Sequence, residues 1–229
     1  MDIRVHPRAD FRLEELAALA KEFEVRYPQT KDMFQITARL AVGQDASHST
    51  ERVKAGLQFL GASSDRLFNA QVDGWSFSKL APYEDWETLQ KEAREVWLAY
   101  KAIARPERLT RVAVRYVNRI DLPLPVEDFK TYLQTVPEVG SGLPQGLSHF
   151  FMQLQIPHED LKALLILNQA MAEPAREGVA SIILDFDLFR TVDVPQDDDA
   201  MWTYFDQLRI AKNRAFEASI TDATRELFR

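Results

Sequence analysis

The chain has 229 residues, enough for one large domain or for two smaller units that share a core. Apolar residues make up 46% of the chain and charged residues 28%, which is the composition of a folded globular protein rather than a disordered one. The net charge of −7 argues against broad affinity for nucleic acid or anionic lipid, and the absence of cysteine excludes disulfides and thiolate metal sites.

The N-terminal sequence MDIRVHPRADF contains no apolar signal core. No stretch of the chain approaches the roughly 20 apolar residues that a membrane-spanning helix requires. We therefore expect a cytoplasmic protein with no membrane association.

The first half of the chain predicts a strand, a helix and a meander of short strands. Residues 2–6 are extended in character, and residues 12–26 carry apolar side chains at the three- and four-residue spacing of a helix. Alternating apolar and polar residues then predict strands at 33–42, 53–60, 66–72 and 75–80. Asp73-Gly74, between the last two strands, is a strong hairpin signal.

A helix over residues 86–103 closes the first half. Asp85 is placed to cap its N-terminus, because an aspartate oxygen can accept a hydrogen bond from the free backbone N–H groups there. Trp86 and Trp97 lie about three helical turns apart, so they fall on one apolar stripe. We expect both tryptophans in the core.

The second half begins with a long strand at 109–122 that is ended by two prolines. The pattern then predicts a short helix at 126–135 and strands at 147–156, 161–171 and 179–192. The last segment, residues 197–228, reads as one long helix with acidic residues in its first turn.

Both halves, residues 1–105 and 106–229, run in the order strand, helix, antiparallel strands, long helix. This order indicates an internal duplication within a single domain, residues 1–229. Two such halves would join into one curved antiparallel sheet with helices on one face, as in TATA-binding-protein-like and helix-grip folds. The predicted class is therefore α+β, and an α+β sheet without a repeat is the alternative.

Three stretches resemble the characteristic segments of a sporadically distributed family of prokaryotic proteins. They are FSKLAPYEDWETLQKEAREVWLAY at 77–100, RVAVRYVNRIDLP at 111–123 and AKNRAFEASITDATRELF at 211–228. The most specific piece is RYVNRIDLP at 115–123, and the resemblance covers nearly the whole chain. The family has no established activity or cofactor, so the resemblance implies relatives but no site.

The strand at 109–122 carries the most distinctive polar pattern. Arg111, Arg115 and Arg119 recur every four residues, which places them on one face of the strand at intervals of about 13 Å. Three guanidinium groups in a row could bind phosphates or carboxylates through paired hydrogen bonds. The alternative is a solvated face on which arginines pair with carboxylates across strands and help to set the register.

Other predicted strands add polar residues that would share this face: Arg39, His149, Gln153, Asp185 and Asp187. The two aspartates lie about 6.6 Å apart on one strand face, a type of carboxylate pair that hydrolases and two-metal sites use. Pairing of both aspartates with the arginines is the alternative. His149 is the residue to test as an acid–base group, and an ordinary surface histidine is its alternative.

Motifs for common activities are absent from the sequence. The four histidines show no metal-ligand spacing, and the glycine-rich loop at 140–146 lacks the Gly-Lys-Ser/Thr ending of a phosphate-binding loop. No nucleophile elbow, zinc-protease motif or kinase motif occurs. We predict no cofactor, no metal and no catalytic residue.

These observations favour a non-enzymatic binding or adaptor module whose arginine-lined open sheet face contacts an acidic partner, as in a prokaryotic defence or toxin-regulation system. A protein partner or an acidic ligand is expected. Two alternatives stay open. One is an enzyme on phosphate-containing substrates that uses Asp185, Asp187 and His149 as acid–base or metal residues. The other is a nucleic-acid-binding saddle protein.

Overall fold

The structure is a computed structural model that describes residues 1–41, 47–82 and 85–228, without the side chains of residues 38–41 and 47–49. Arg39 belongs to that group, so its predicted binding role lies outside the described residues. The chain divides into two compact units, Met1–Thr110 and Arg111–Arg229. The single domain with halves at 1–105 and 106–229 stays a prediction.

The fold is α+β, with antiparallel strands in each of the two units and helices packed on the strands. This confirms the predicted fold class. None of the described helices is long and apolar enough to cross a membrane.

The first unit runs from a strand through a short helix and a meander to a long helix. Its elements are β1 (Asp2–His6), α1 (Ala18–Glu22), β2 (Gln29–Ala41), β3 (Ser47–Leu60), β4 (Arg66–Gln71), β5 (Gly74–Lys79) and α2 (Trp86–Ala104), and a 3-10 helix (Leu13–Ala17) precedes α1. The strand order within the unit is β2-β3-β4-β5-β1. The first strand therefore lies beside the last strand of the meander.

Aromatic side chains from the meander and α2 form the core of the first unit. Trp75 on β5 and Trp97 on α2 are fully buried, and their ring centres lie 5.8 Å apart. Asp85 accepts a 2.7 Å hydrogen bond from the backbone N–H of Thr88 and so caps α2. The predicted cap and the buried tryptophan stripe, which includes Trp86, are both confirmed.

The second unit repeats this order with one strand fewer. Its elements are β6 (Arg108–Pro123, which begins at the end of the first unit), β7 (Phe151–His158), β8 (Ala163–Ala172), β9 (Val179–Arg190), α3 (Asp198–Ser219) and α4 (Asp222–Glu226). The strand order is β6-β9-β8-β7, so the first strand again lies beside the last strand of the meander.

Strand alternation separates the two faces of β6 as the sequence predicts. Val112 and Val114 are buried on the side that α3 covers, whereas Arg115 and Arg119 are exposed on the other side. The reason is the two-residue period of a strand, which sends consecutive side chains to opposite faces. The pattern leaves charged groups in contact with water and puts aliphatic groups into the core.

The prediction of one helix over residues 197–228 is wrong at Ile220. This residue is extended, with φ −115° and ψ 158°, and it forms a β-bridge with Leu133. The backbone N–H of Gln134 donates a 3.0 Å hydrogen bond to the carbonyl of Ser219. Strand-like bonds thus satisfy the backbone where the helix ends, and α4 begins two residues later.

Two other predicted helices are shorter than expected. The segment 126–135 contains only a 3-10 helix, Phe129–Thr131, and 12–26 contains the 3-10 helix followed by α1. Apolar spacing of three residues fits a 3-10 helix as well as an α-helix, so periodicity alone does not distinguish them.

Candidate binding surface

The side of the second-unit strands opposite the aliphatic core, which we call the open face, carries polar side chains and one valine. It comprises Arg111, Arg115, Val117, Arg119 and Asp121 on β6, Ser181, Asp185 and Asp187 on β9, Asn168 on β8, and Gln153 and Gln155 on β7. Four of these residues, Gln153, Asn168, Asp185 and Val117, stand directly opposite one another across the four strands.

Hydrogen bonds connect the open face from β7 to β6 in a chain that we call the second-unit ladder. Gln153 Nε2 donates to Asn168 Oδ1 at 2.8 Å, and Asn168 Nδ2 donates to Asp185 Oδ2 at 3.1 Å. Arg115 completes the ladder with Nε on Asp185 Oδ1 at 2.8 Å and Nη2 on Oδ2 at 2.7 Å. Both carboxylate oxygens of Asp185 are therefore occupied.

Asp185 is held as an anion by these neighbours. Its burial alone would raise its pKa, but the hydrogen bonds from Arg115 and Asn168 outweigh burial and leave the pKa of Asp185 below its usual value. A carboxylate in this state is a poor general acid. The arrangement is a structural ion pair, the alternative that the sequence left open.

Arg111 is also paired on the open face. Its Nη2 lies 2.9 Å from Asp187 Oδ1 and 2.8 Å from Oδ2, and its guanidinium carbon lies 4.5 Å from the centre of the Phe189 ring. Only 22% of the Arg111 side chain is exposed. Arg111 thus fixes β9 against β6 and offers little surface to a ligand.

Arg119 belongs to a third cluster, around the buried hydroxyl of Ser181. Ser181 Oγ donates to Asp121 Oδ1 at 2.5 Å and accepts from Arg119 Nη2 at 2.8 Å and from the backbone N–H of Ala175 at 3.1 Å. Arg119 also donates to the carbonyl of Glu173. This cluster ties the turn between β8 and β9 to β6.

Arg115 and Val117 are two neighbouring members of the open face whose side chains are strongly exposed. The Arg115 side chain is 62% exposed although its partner Asp185 is buried. Val117, two residues along the same strand face, is 61% exposed. A charged group in a fixed orientation therefore stands beside an apolar side chain that no core residue covers.

His149 does not lie on the strand where the sequence placed it. The strand β7 begins at Phe151 rather than at residue 147, so His149 is an exposed residue of the preceding loop. Residues of coil character between Gly140 and Phe150 precede β7, and the strand starts only where pairing with β8 starts. The prediction of a strand over 147–156 is wrong at its beginning.

Within the described part of the chain, no group of three or more histidine, aspartate or glutamate residues could hold a metal ion. Asp185 and Asp187 each accept hydrogen bonds from an arginine. Of the predicted site residues, Gln153, Asp185 and Arg115 belong to one chain of hydrogen bonds, in which Asn168 links Gln153 to Asp185 and Arg115 bonds to Asp185 directly.

Sequence reasoning missed Asn168 and Ser181, which complete two of the three clusters. A weak signal for Asn168 exists, because it is a polar residue within the apolar strand sequence ALLILNQAMA. Asn168 alternates with buried leucines and therefore had to face the arginine side. Ser181 gives no such signal, since a serine at the start of a strand is ordinary.

The first unit carries a similar chain of hydrogen bonds, the first-unit ladder. Gln58 Nε2 donates to Asn69 Oδ1 at 3.1 Å, and Asn69 Nδ2 donates to Ser76 Oγ at 2.9 Å. These residues stand opposite one another on β3, β4 and β5, and the next residue in register is Asp2 on β1. The ladder lies on the face away from the aromatic core.

Comparison with known proteins gives no relative. No family model matches the chain, and neither the curated proteins nor the solved structures contain a match. The resemblance to a sporadically distributed prokaryotic family stays a prediction.

Proposed function

We propose that the protein is a non-enzymatic binding module and that Arg115 and Val117 form the centre of its contact surface for a protein partner with an exposed carboxylate. The observation that carries the proposal is the exposed Arg115 side chain on a buried, hydrogen-bonded Asp185. Arginine is one of the residue types that dominate binding energy at protein interfaces.

Preorganisation supports this assignment. Two nitrogens of Arg115 are fixed by Asp185, which is itself fixed by Asn168. Binding of a carboxylate would cost little side-chain entropy, because the long arginine side chain is already ordered. The carboxylate would meet the edge of the guanidinium that points away from Asp185. Arg111 and Arg119 hold the surrounding strands in place and are not proposed as contacts.

Charge balance favours a protein over nucleic acid as the partner. The three arginines of the open face are matched by three carboxylates, those of Asp121, Asp185 and Asp187. Binding to a phosphate backbone draws its affinity from a net excess of lysine and arginine, which this face does not have. A mixed-charge surface with an exposed valine fits a protein interface better.

The test is affinity capture from the source cells with the wild-type chain and with two variants, Arg115→Ala and Val117→Lys. We expect one or more proteins captured by the wild type to lose at least about tenfold in affinity for either variant, because truncating an arginine hot spot costs about 2 kcal/mol or more and each 1.4 kcal/mol is about a factor of ten. The affinity is then measured with the purified partner by calorimetry.

Arg26→Ala is a matched control, because Arg26 is also exposed and donates two hydrogen bonds to Glu95, in the first unit. Its variant should bind like the wild type. If the Arg115 and Val117 variants capture the same proteins with the same affinity as Arg26→Ala, the open face is not the contact surface.

The internal duplication belongs to the same proposal. Both units place their first strand beside the last strand of the meander. Both carry a glutamine-to-asparagine hydrogen bond at corresponding register positions, Gln58 to Asn69 and Gln153 to Asn168. Sequences of relatives test the duplication: matching residue types at these paired positions would support it, and unrelated types would contradict it.

A further inference from the structure

The strand β7 ends the strand order of the second unit, and among the described strands it pairs with β8 alone. Its residues from Phe151 to Pro157 carry no charge, and Phe151 is 65% exposed. Natural sheets usually protect such an edge with charged side chains, bulges or prolines, because unpaired backbone groups bind other strands. Here Pro157 is the one protective residue within the strand.

The hydrogen-bonding direction of β7 follows from its first contact with β8. The carbonyl of Phe150 accepts a 3.1 Å bond from the N–H of Met171, and this pair continues by one residue the register that begins at Phe151 and Ala170. In an antiparallel pair, bonded residues alternate with residues whose N–H and C=O point away. The backbone groups of Phe151, Gln153, Gln155 and Pro157 therefore point outward.

Those outward groups have no partner among the described residues. No backbone or side-chain hydrogen bond from the described chain reaches the N–H groups of Phe151, Gln153 and Gln155. Pro157 has no N–H, and its position on the outward side costs the pairing with β8 nothing. The backbone of β7 is therefore paired with β8 on one side, and its N–H and C=O groups are available for pairing on the other side.

The edge strand β2 of the first unit is protected differently. A register irregularity between Met33 and Phe34 interrupts its pairing with β3, and it carries the charged residues Lys31 and Asp32. Bulges and charges of this kind hinder pairing between edges. Of these two edge strands, β7 is therefore the one whose backbone is better suited to pair with another strand.

We propose that β7 pairs with β7 of a second copy of this chain, antiparallel and centred on Leu154, so that the protein forms a two-fold symmetric dimer. In this register Gln153 stands opposite Gln155 of the second copy, Met152 opposite Ile156, and Phe151 opposite Pro157. Apolar residues thus meet apolar residues, and amides meet amides. Because the strand is uncharged, no like charges come together.

The backbone geometry allows this register. Gln153 and Gln155 of the second copy both point their N–H and C=O groups outward, so each such pair can exchange two hydrogen bonds. Phe151 can donate to the carbonyl of Pro157 in the second copy. Symmetry repeats these bonds, which makes the contact isologous and closed. The proposal concerns the edge of the sheet and does not depend on the role of the open face.

Cysteine cross-linking tests the register directly, because the natural chain contains no cysteine. In the proposed dimer the two copies of residue 154 form a non-hydrogen-bonded pair with Cα atoms about 4.5 Å apart, within the range of disulfides. We expect Leu154→Cys to give a covalent dimer under mild oxidation. Met152→Cys and Ile156→Cys should each stay uncrosslinked alone and should cross-link when mixed.

A second pair of variants tests the hydrogen bonds without cysteine. Gln155→Pro removes an outward N–H while leaving the bonds to β8 in place, and Gln155→Thr keeps that N–H. Sedimentation over a concentration series should show the wild type and Gln155→Thr associating and Gln155→Pro remaining monomeric. A wild-type chain that stays monomeric throughout, or a dimer in which only Met152→Cys or Ile156→Cys cross-links to itself, would overturn the proposal.

Discussion

In the first unit, the side-chain hydrogen bonds of Gln58 and Asn69 end at the hydroxyl of Ser76. In the second unit, the equivalent bonds of Gln153 and Asn168 end at the carboxylate of Asp185. The hydrogen bonds between the glutamine and asparagine side chains are alike in type and in register position in the two units. A hydroxyl can complete such a chain by itself, because it both donates and accepts. The ladder in the first unit is therefore neutral.

A buried carboxylate requires a cation, and Arg115 supplies it. Asp185, which accepts from Asn168 as Ser76 accepts from Asn69, thus brings a guanidinium to the surface of the second unit. The ladder residues of the first unit are uncharged, although the ion pair of Asp2 with Arg4 lies beside Ser76 on β1.

The largest difference between the ladders should appear when their third members are removed. Asp185→Ala should cost about 2–3 kcal/mol of unfolding free energy, because it leaves Asn168 and Arg115 without their acceptor. Ser76→Ala should cost about 1 kcal/mol, the net value of one neutral hydrogen bond. Urea unfolding measures both, and equal losses would contradict the comparison.

Acid should weaken only the second-unit ladder. The pKa of Asp185 in the folded chain lies below its unfolded value of about 3.9, so its stabilising contribution is complete above about pH 4 and is lost as pH falls through the folded pKa. Comparison of wild type with Asp185→Asn isolates this effect, since the amide does not titrate. A constant difference in unfolding free energy from pH 6 down to about pH 2 would rule it out.

The long helices of the two units also differ in what they bury. The buried residues of α2 are uncharged, whereas α3 buries Lys212, whose ammonium lies 3.4 Å from the centre of the Tyr116 ring. Burial, with a smaller contribution from Arg209, lowers the pKa of Lys212 to about 8. The aromatic ring favours the charged amine, but burial outweighs that attraction.

Lys212→Met should therefore stabilise the protein at pH 7 by about 2 kcal/mol. The folded pKa is below the unfolded value of about 10.4, so wild-type stability should rise between about pH 8 and about pH 10.4, where the folded chain has already released the proton. The advantage of the variant should shrink over that range. Thermal unfolding of both proteins at each pH provides the measurement, and a pH-independent difference would contradict the assignment.

The middle residues of the ladders offer a smaller test. Asn69→Ala removes a link between two neutral groups and should cost about 1 kcal/mol. Asn168→Ala also removes a donor to the Asp185 carboxylate and should cost slightly more, since bonds to charged groups are stronger. Chemical denaturation of the two variants side by side determines the order, and a larger loss for Asn69→Ala would reverse the comparison.

The smallest expected effect is at Arg105, at the end of α2, and the end of α3 gives the contrast. The residue after α2, Arg105, has a left-handed backbone with φ 42°, whereas the residue after α3, Ile220, is extended. Arg105→Gly should raise stability by about 0.5–1 kcal/mol, because glycine adopts the left-handed region without strain. Ile220→Gly should instead destabilise, since it removes a buried side chain. Melting temperatures distinguish the two outcomes.

Local patterns in the sequence were sufficient for much of the fold. The alternation along β6 and the cap at Asp85 involve residues close together in the chain, so they follow from strand period and capping chemistry alone. The side to which Arg115 and Asp185 point was predictable for the same reason. Their partnership was open, because residues separated by 70 positions meet only when strand order and register are known.

What the amino-acid sequence determined by itself was the class of fold and the sorting of side chains between a core face and a solvent face. Tertiary structure decided which polar groups pair, where the last helix breaks and which strand is left at an edge. Asn168 joins Gln153 to Asp185 only because β8 lies between β7 and β9, and the extended Ile220 lies between two backbone bonds, from Gln134 to Ser219 and from Thr221 to Tyr132. These outcomes depend on long-range hydrogen bonding, which no local period encodes.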